Sequence, residues 1–198
     1  MADVVGHVLL LYWDSAQGAN AQTIEENNMT QQINDADFRF RPAREEDAES
    51  VLALYQAVKG RPFTEWNESY PGLSELQLDL STGNLFVLEH EDGIVGTVSI
   101  APENEMDELD CWSSRKNAGE FARVAVHPSY QGQGLAARLV TEILAVMKGR
   151  GVENVHISVI PHNLPAQKTY HRLGFVTVGH CELWGHSFDL MERTIGPT

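Results

Sequence analysis

Val124-Ala125-Val126-His127-Pro128-Ser129-Tyr130-Gln131-Gly132-Gln133-Gly134-Leu135-Ala136 is the stretch whose reading decides the fold. A β-branched run stops at a proline, a turn of small residues follows, and a helix opens at once. Such a junction aims free backbone N–H groups and the positive end of a helix dipole at one point, which suits a phosphate or pyrophosphate. Gly132 and Gly134 have no Cβ, so a bulky anion can approach the main chain, and they accept the positive φ that turns successive N–H groups to one side. The spacing predicts a helix from about Gln133 to Gly149, with Leu135, Leu139, Val140, Ile143, Leu144 and Met147 as one buried stripe. Gly149 and Gly151 bracket its end.

The stretch is not a nucleoside-triphosphate loop, because the Lys-Ser/Thr pair is missing. Nor is it a dinucleotide fingerprint, because the third glycine is absent and the strand leaves through His-Pro-Ser-Tyr rather than entering the turn tightly. Downstream, Asn154 to Ile160 is strand-like, and Asn163-Leu164-Pro165-Ala166 opens a second helix that carries Tyr170 and ends at Leu173-Gly174-Phe175.

Gln131-Gly132-Gln133-Gly134-Leu135-Ala136 resembles the acyl-CoA signature Q/R-x-x-G-x-G/A of the GCN5-related N-acetyltransferases, the GNAT family. The order of strand, signature helix, strand, Asn, Tyr-bearing helix and Gly-Phe over roughly Glu120 to Phe175 strengthens it, and a weaker match reaches back to about Phe38 and on to about Arg193. The resemblance implies an α/β GNAT fold, with a mixed, mostly antiparallel central sheet, two splayed parallel strands and helices on both faces. It implies acetyl-CoA as co-substrate, bound by Val124, Ala125, Val126, Gln131, Gly132, Gln133, Gly134, Leu135, Ala136, Asn163, Ala166 and Tyr170. In such a site the main chain of Val124 to Val126 runs beside the pantetheine arm, and its free N–H groups can hold the thioester oxygen.

Two catalytic residues follow from the same resemblance. Glu120 lies eleven residues before Gln131, a spacing at which the histone-acetylating branch of the family places its general base. The alternatives are a solvated strand-end glutamate or a partner of Arg123, with His127 and Glu68 as other candidate bases. Tyr170 lies seven residues after Asn163 and four before Gly174, where the family tyrosine protonates the departing thiolate. A thiol with an ordinary pKa near ~8.5 leaves adequately unaided, so Tyr170 is expected to assist. Asn163 either caps its helix or bonds the pantetheine amides.

The acceptor end is harder to read. Trp66, Glu68 and Tyr70, within the aromatic and acidic run Arg61 to Pro71, are candidate substrate contacts, since aromatic rings with interspersed acids suit an amine. A connection covering the core explains the same residues. Trp112 and Trp184 are further candidate wall residues, and Glu103 to Asp110 reads as a solvated loop. The implied activity is transfer of an acetyl group to a primary amine of a small molecule by direct attack in a ternary complex. Neither Cys111 nor Cys181 lies in the motifs, which disfavours an acyl-cysteine. A protein or peptide N-acetyltransferase and a non-catalytic acyl-CoA sensor are the rival readings.

The remainder of the chain sets bounds. Its 198 residues carry a formal charge of −14, which disfavours nucleic acid and anionic membrane as partners and suits a cationic amine. No apolar run is long enough to span a bilayer, and two cysteines read as reduced thiols in a cytoplasm. The eight histidines show no metal-ligand spacing, so no metal is expected. Residues 1–37 read as an N-terminal extension, in which Val4 to Trp13 could add a strand and Ser15 to Asp37 is a linker or poorly ordered stretch; 38–195 read as the N-acetyltransferase domain. Homodimers are common in the family, and a homodimer is possible here.

Outside the signature, Phe38 to Arg41 alternates as a strand, and Glu45-Glu46-Asp47 starts a helix with Val51, Leu52, Leu54, Tyr55 and Val58 on its apolar face. Leu73 to Leu80 reads as a helix closed by Gly83. Leu85 to Glu89 and Ile94 to Ala101 read as a hairpin through Glu91-Asp92-Gly93. Phe121 to Val126 and Val155 to Ile160 are the expected central strands, and Phe175 to His180 with Ser187 to Arg193 an antiparallel pair.

Overall fold

The structure, a computed structural model, describes residues 35–196. The predicted strand Val4 to Trp13 and the stretch from Ser15 to Asn34 lie outside the described residues. Asp35–Asp37 form a single 3₁₀ turn.

Seven strands form one sheet in the order β1-β2-β3-β4-β5-β7-β6. They are β1 (Arg39–Pro42), β2 (Leu85–His90), β3 (Gly93–Ile100), β4 (Ala118–Val126), β5 (Asn154–Val159), β6 (Val176–Leu183) and β7 (His186–Thr194). All neighbours are antiparallel except β4 and β5. That parallel pairing covers only Ala118 to Glu120 against Asn154 to His156, although β4 runs on to Val126 and β5 to Val159. The two strands therefore part at Glu120 and leave a wedge between them.

Four helices pack on this sheet: α1 (Ala48–Val58), α2 (Leu73–Ser81), α3 (Leu135–Gly149) and α4 (Leu164–Arg172). On α1 the residues Val51, Leu54, Tyr55 and Val58, spaced three and four apart, are buried. Val51 and Tyr55 join Leu76 of α2 and Leu85 and Val87 of β2 in one cluster, while Leu54 and Val58 sit on Ala125 of β4. The stripe expected on α3 is buried in full, from Leu135 to Met147. It presses so closely on β3 that a Cβ at Gly96 would stand 3.0 Å from Leu139. α4 lies beside α3, and Phe121 of β4 meets Tyr170 and Phe175 edge-on, with ring centroids 5.8 and 5.9 Å away.

Differences from the sequence reading fall at element ends. The acidic start of the first helix is a 3₁₀ turn, Glu45–Asp47, where Asp47 accepts from Arg44 N and takes both ends of the Arg41 fork at 2.6 and 2.8 Å. α3 begins at Leu135 rather than Gln133, because Gly134 sits at φ 84 and cannot belong to a right-handed helix. The acidic run after β3 is not only solvated loop: Asn104 caps a 3₁₀ turn, Glu105–Glu108, and buries Met106 against Trp112 and Leu190.

Candidate active site

The wedge between β4 and β5 opens into a cleft of about 1280 Å³. One end is walled by Gln131, Gly132, Gly134 and the first turn of α3. The middle is walled by Glu120 to Val126, Ile157 to Ile160 and α4, and the other end by segment 61–70, Asn104, Met106 and the β6–β7 turn.

At the first end the chain makes an anion cradle from main-chain atoms. Gly132 and Gly134 both have positive φ, and α3 has no side-chain cap. No acceptor among the described residues takes the N–H groups of Gly132 to Ala137, and the first bond into the helix is Arg138 N to Gly134 O. Gln131 braces the turn by donating Nε2 to Val126 O at 3.0 Å. Gln133 is exposed outside the lining, its amide 3.4 Å from Ser129 O. The unpaired donors and the dipole of a fifteen-residue helix suit a pyrophosphate.

In the middle of the cleft β4 is irregular. Ala122 pairs with Ser99 and Ala125 with Thr97, so Arg123 and Val124 together face the single residue Val98. This is a β-bulge, a device common beside active sites. Since β5 has already diverged, neither Arg123 nor Val124 has a ladder partner on either side. Arg123 takes φ 54, a left-handed conformation that costs an L-residue about 1–2 kcal/mol. Its side chain forks onto Asp79 of α2 at 2.7 and 2.8 Å, and Asp79 also accepts from Ser99 Oγ at 2.6 Å. Burial opposes the guanidinium charge, but the Asp79 carboxylate more than restores it.

Glu120 sits where the two strands part. It makes no ion pair among the described residues, since Arg123 is committed to Asp79. Asn104 Nδ2 donates to its carboxylate at 2.9 Å, and Ser158 Oγ lies at 3.3 Å. Burial pushes the Glu120 pKa above the usual carboxylate range, and these two hydrogen bonds only partly offset it. A carboxylate held this way accepts a proton more readily than an exposed one.

Tyr170 lines the same middle section. Burial, aided by the charge of Glu120, pushes its phenol up to about 12, so it remains protonated at neutral pH. Its hydroxyl has no hydrogen-bond partner among the described residues. Asn163 caps α4, its Oδ1 accepting from Ala166 N at 3.1 Å, while the residue also faces the cleft. The two uses left open by the sequence are thus compatible.

At the far end Trp66 and Tyr70 line the cleft, and Trp66 also packs edge-on against Tyr55. Glu68 is exposed and outside the lining, and His127 uses Nδ1 to accept from Ser129 N rather than facing the cleft. Trp112 is buried and stacked on His156 4.1 Å away, so it is core rather than wall. Trp184 does line the cleft, at the β6–β7 turn, where its Nε1 donates to Glu105 at 2.9 Å. The sequence reading missed Asn104, Ser158 and Asp79, and read Glu65 only as one of the acids interspersed in the aromatic run. Glu65 lies 3.2 Å from His162 and 3.9 Å from His186, tying three segments together at the rim. Asn104 three residues before Asp107 is a helix-cap pattern, whereas Asp79 and Ser158 left no local signal.

Comparison with known proteins agrees with this geometry. A model of the Acetyltransferase (GNAT) family matches residues 51–175. The chain is 39% identical over 66 residues to a mycothiol acetyltransferase of Actinosynnema mirum, covering 32% of this chain and 22% of that protein. It is 36% identical over 52 residues to a [ribosomal protein bS18]-alanine N-acetyltransferase of Haemophilus ducreyi, covering 26% and 36%. The chain thus spans well under half the length of these curated relatives. Among solved structures, a phosphinothricin acetyltransferase from Sinorhizobium meliloti in complex with AcCoA superposes with a TM-score of 0.66 at 19% identity, covering 81% of this chain and 89% of that one. With more than half of its residues matched by the family model, a seven-stranded sheet split at β4 and β5, and an anion cradle at the head of α3, the chain belongs to the GNAT acetyltransferase family.

Proposed function

We propose that this chain is an acetyl-CoA-dependent N-acetyltransferase that acylates a primary amine of a small molecule by direct attack in a ternary complex. One observation carries the reading. A cradle of unpaired N–H groups, a bulge without ladder partners and a half-buried carboxylate held by Asn104 and Ser158 rather than by a cation lie in that order along one cleft.

In this reading Gly132 to Ala137 hold the pyrophosphate of acetyl-CoA through main-chain N–H groups. Val124 to Val126 lie beside the pantetheine arm, with Asn163 and Ala166 across the wedge. Peptide N–H groups at the bulge hold the thioester oxygen as it gains charge. Glu120 accepts a proton from the substrate ammonium, directly or through water. The amine nitrogen then forms its bond to the carbonyl carbon, the C–S bond breaks as Tyr170 protonates the departing thiolate, and the extra proton left on the nitrogen returns to the Tyr170 oxygen, directly or through water, to give the neutral amide and a neutral phenol. Cys111 and Cys181 both lie outside the cleft, and burial raises both thiols, which supports transfer without an acyl-cysteine. The acidity of the chain and the aromatic rim suit a cationic acceptor.

A peptide N-terminus is the second reading, favoured by the breadth of the cleft and the name of the Haemophilus relative. A thiol-release assay with acetyl-CoA across polyamines, amino acids, aminoglycosides and short peptides tests both. Release on a small amine supports the first reading, and release only on peptides replaces it with the second. Acetyl-CoA binding without release on any of these overturns both in favour of a sensor.

A further inference from the structure

The bulge that leaves Arg123 and Val124 without ladder partners is tied to one buried ion pair, whose acidic member, Asp79 of α2, lies outside the cleft lining. Arg123 is an unusual residue for a left-handed position, which favours Gly, Asn or Asp. Its side chain reaches away from β4 to Asp79, which is 1% exposed at the inner face of α2. Both guanidinium contacts are short and parallel, a fork that fixes orientation as well as distance. Ser99, the ladder partner of Ala122 on the flank of the bulge, donates to the same carboxylate. The Tyr70 hydroxyl stands 3.4 Å from Arg123 Nη1.

We propose that Asp79 is a positioning residue: by clamping Arg123 it holds the β4 bulge in the geometry that presents peptide donors to the thioester oxygen. The inference rests on the acetyl-CoA reading above. The geometry gives Asp79 few other uses, because it lies outside the cleft lining and its hydrogen-bonding partners are Arg123 and Ser99. A loosened clamp lets Arg123 relax toward ordinary φ, which rotates the two peptide planes flanking it. The anion cradle at α3 is built from other residues and does not share this dependence.

The test is infrared difference spectroscopy of the full chain with acetyl-CoA labelled with ¹³C at the thioester carbonyl, beside calorimetry with CoA, which lacks that carbonyl. In the unaltered protein the bound carbonyl band moves to lower frequency, as hydrogen bonding polarises it. In Asp79→Asn that displacement falls by about half or more, while CoA affinity stays within about threefold. Arg123→Lys keeps the charge but not the fork, and gives the same split if Asp79→Asn does not fold. A full displacement in a folded variant overturns the proposal. So does a loss of CoA affinity in step with the band, which would mark Asp79 as a general support of the fold. An unaltered protein that binds acetyl-CoA with no displaced band overturns it too. An unaltered protein that binds no acetyl-CoA instead fails the parent reading.

Discussion

The two ends of the cleft are built on different principles. At the α3 end the groups offered to the cleft are main-chain N–H groups, supplied by the six consecutive residues Gly132 to Ala137. At the far end the wall is made of side chains from segment 61–70, the 3₁₀ turn after β3 and the β6–β7 turn. Main-chain machinery demands glycine and a helix start at fixed offsets, so it writes a local pattern into the sequence. A wall assembled from distant segments can be met by many residue combinations and writes none. The contrast explains why such a chain can be placed in its family while its acceptor is left to experiment.

The largest expected effect would break the contrast at its glycine end. Gly134→Asp adds a charge and a Cβ at φ 84 where the phosphates are expected, and should weaken CoA binding by about a hundredfold or more in calorimetry. Affinity within about threefold of the unaltered protein would mean that the anion is held elsewhere. In the middle of the cleft, Tyr170→Phe should lower turnover by roughly ten- to a thousand-fold with little change in CoA affinity. Unchanged turnover would reduce Tyr170 to a packing ring between Phe121 and Phe175.

Glu120 gives a prediction with a definite sign in pH. Its pKa is raised by burial, so the folded state holds this proton more tightly than the unfolded chain does. The associated stability is present below the ordinary carboxylate value and is lost as pH rises through the folded value. Glu120→Gln should therefore raise the melting temperature at about pH 8 and hardly change it at about pH 4. In the proposed role of base Glu120 must be ionised, so activity should rise with pH through the same raised value, and the glutamine variant should lose that acid limb. An identical limb in the variant would move the base to another residue. The smallest effect is expected at the side-chain end. Trp184→Ala should raise the acceptor KM by about three- to tenfold and leave CoA affinity alone. A matching loss of CoA affinity would erase the division between the two ends.

The legibility of the fold follows the same division. The stripe on α3, the hairpin through Gly93 and the C-terminal antiparallel pair were readable because periodicity is a local property. Two of the details that shape the site were not. The bulge at Arg123 depends on register against β3, and its clamp joins residues 44 positions apart. Glu120 was singled out by the family spacing before Gln131, yet its two hydrogen-bond partners come from the loop after β3 and from β5, which only the folded sheet brings together. Glu68 and Trp66 looked equivalent in the sequence; Trp66 turns toward Tyr55 and the cleft, and Glu68 turns to solvent.

The central claim is that the wedge between β4 and β5 is a site for acetyl-CoA. Titration calorimetry of the full chain with acetyl-CoA tests it most directly. The account predicts one site with affinity in the micromolar range, lost in Gly134→Asp. An absence of binding to the unaltered protein, or binding that survives Gly134→Asp undiminished, would contradict it.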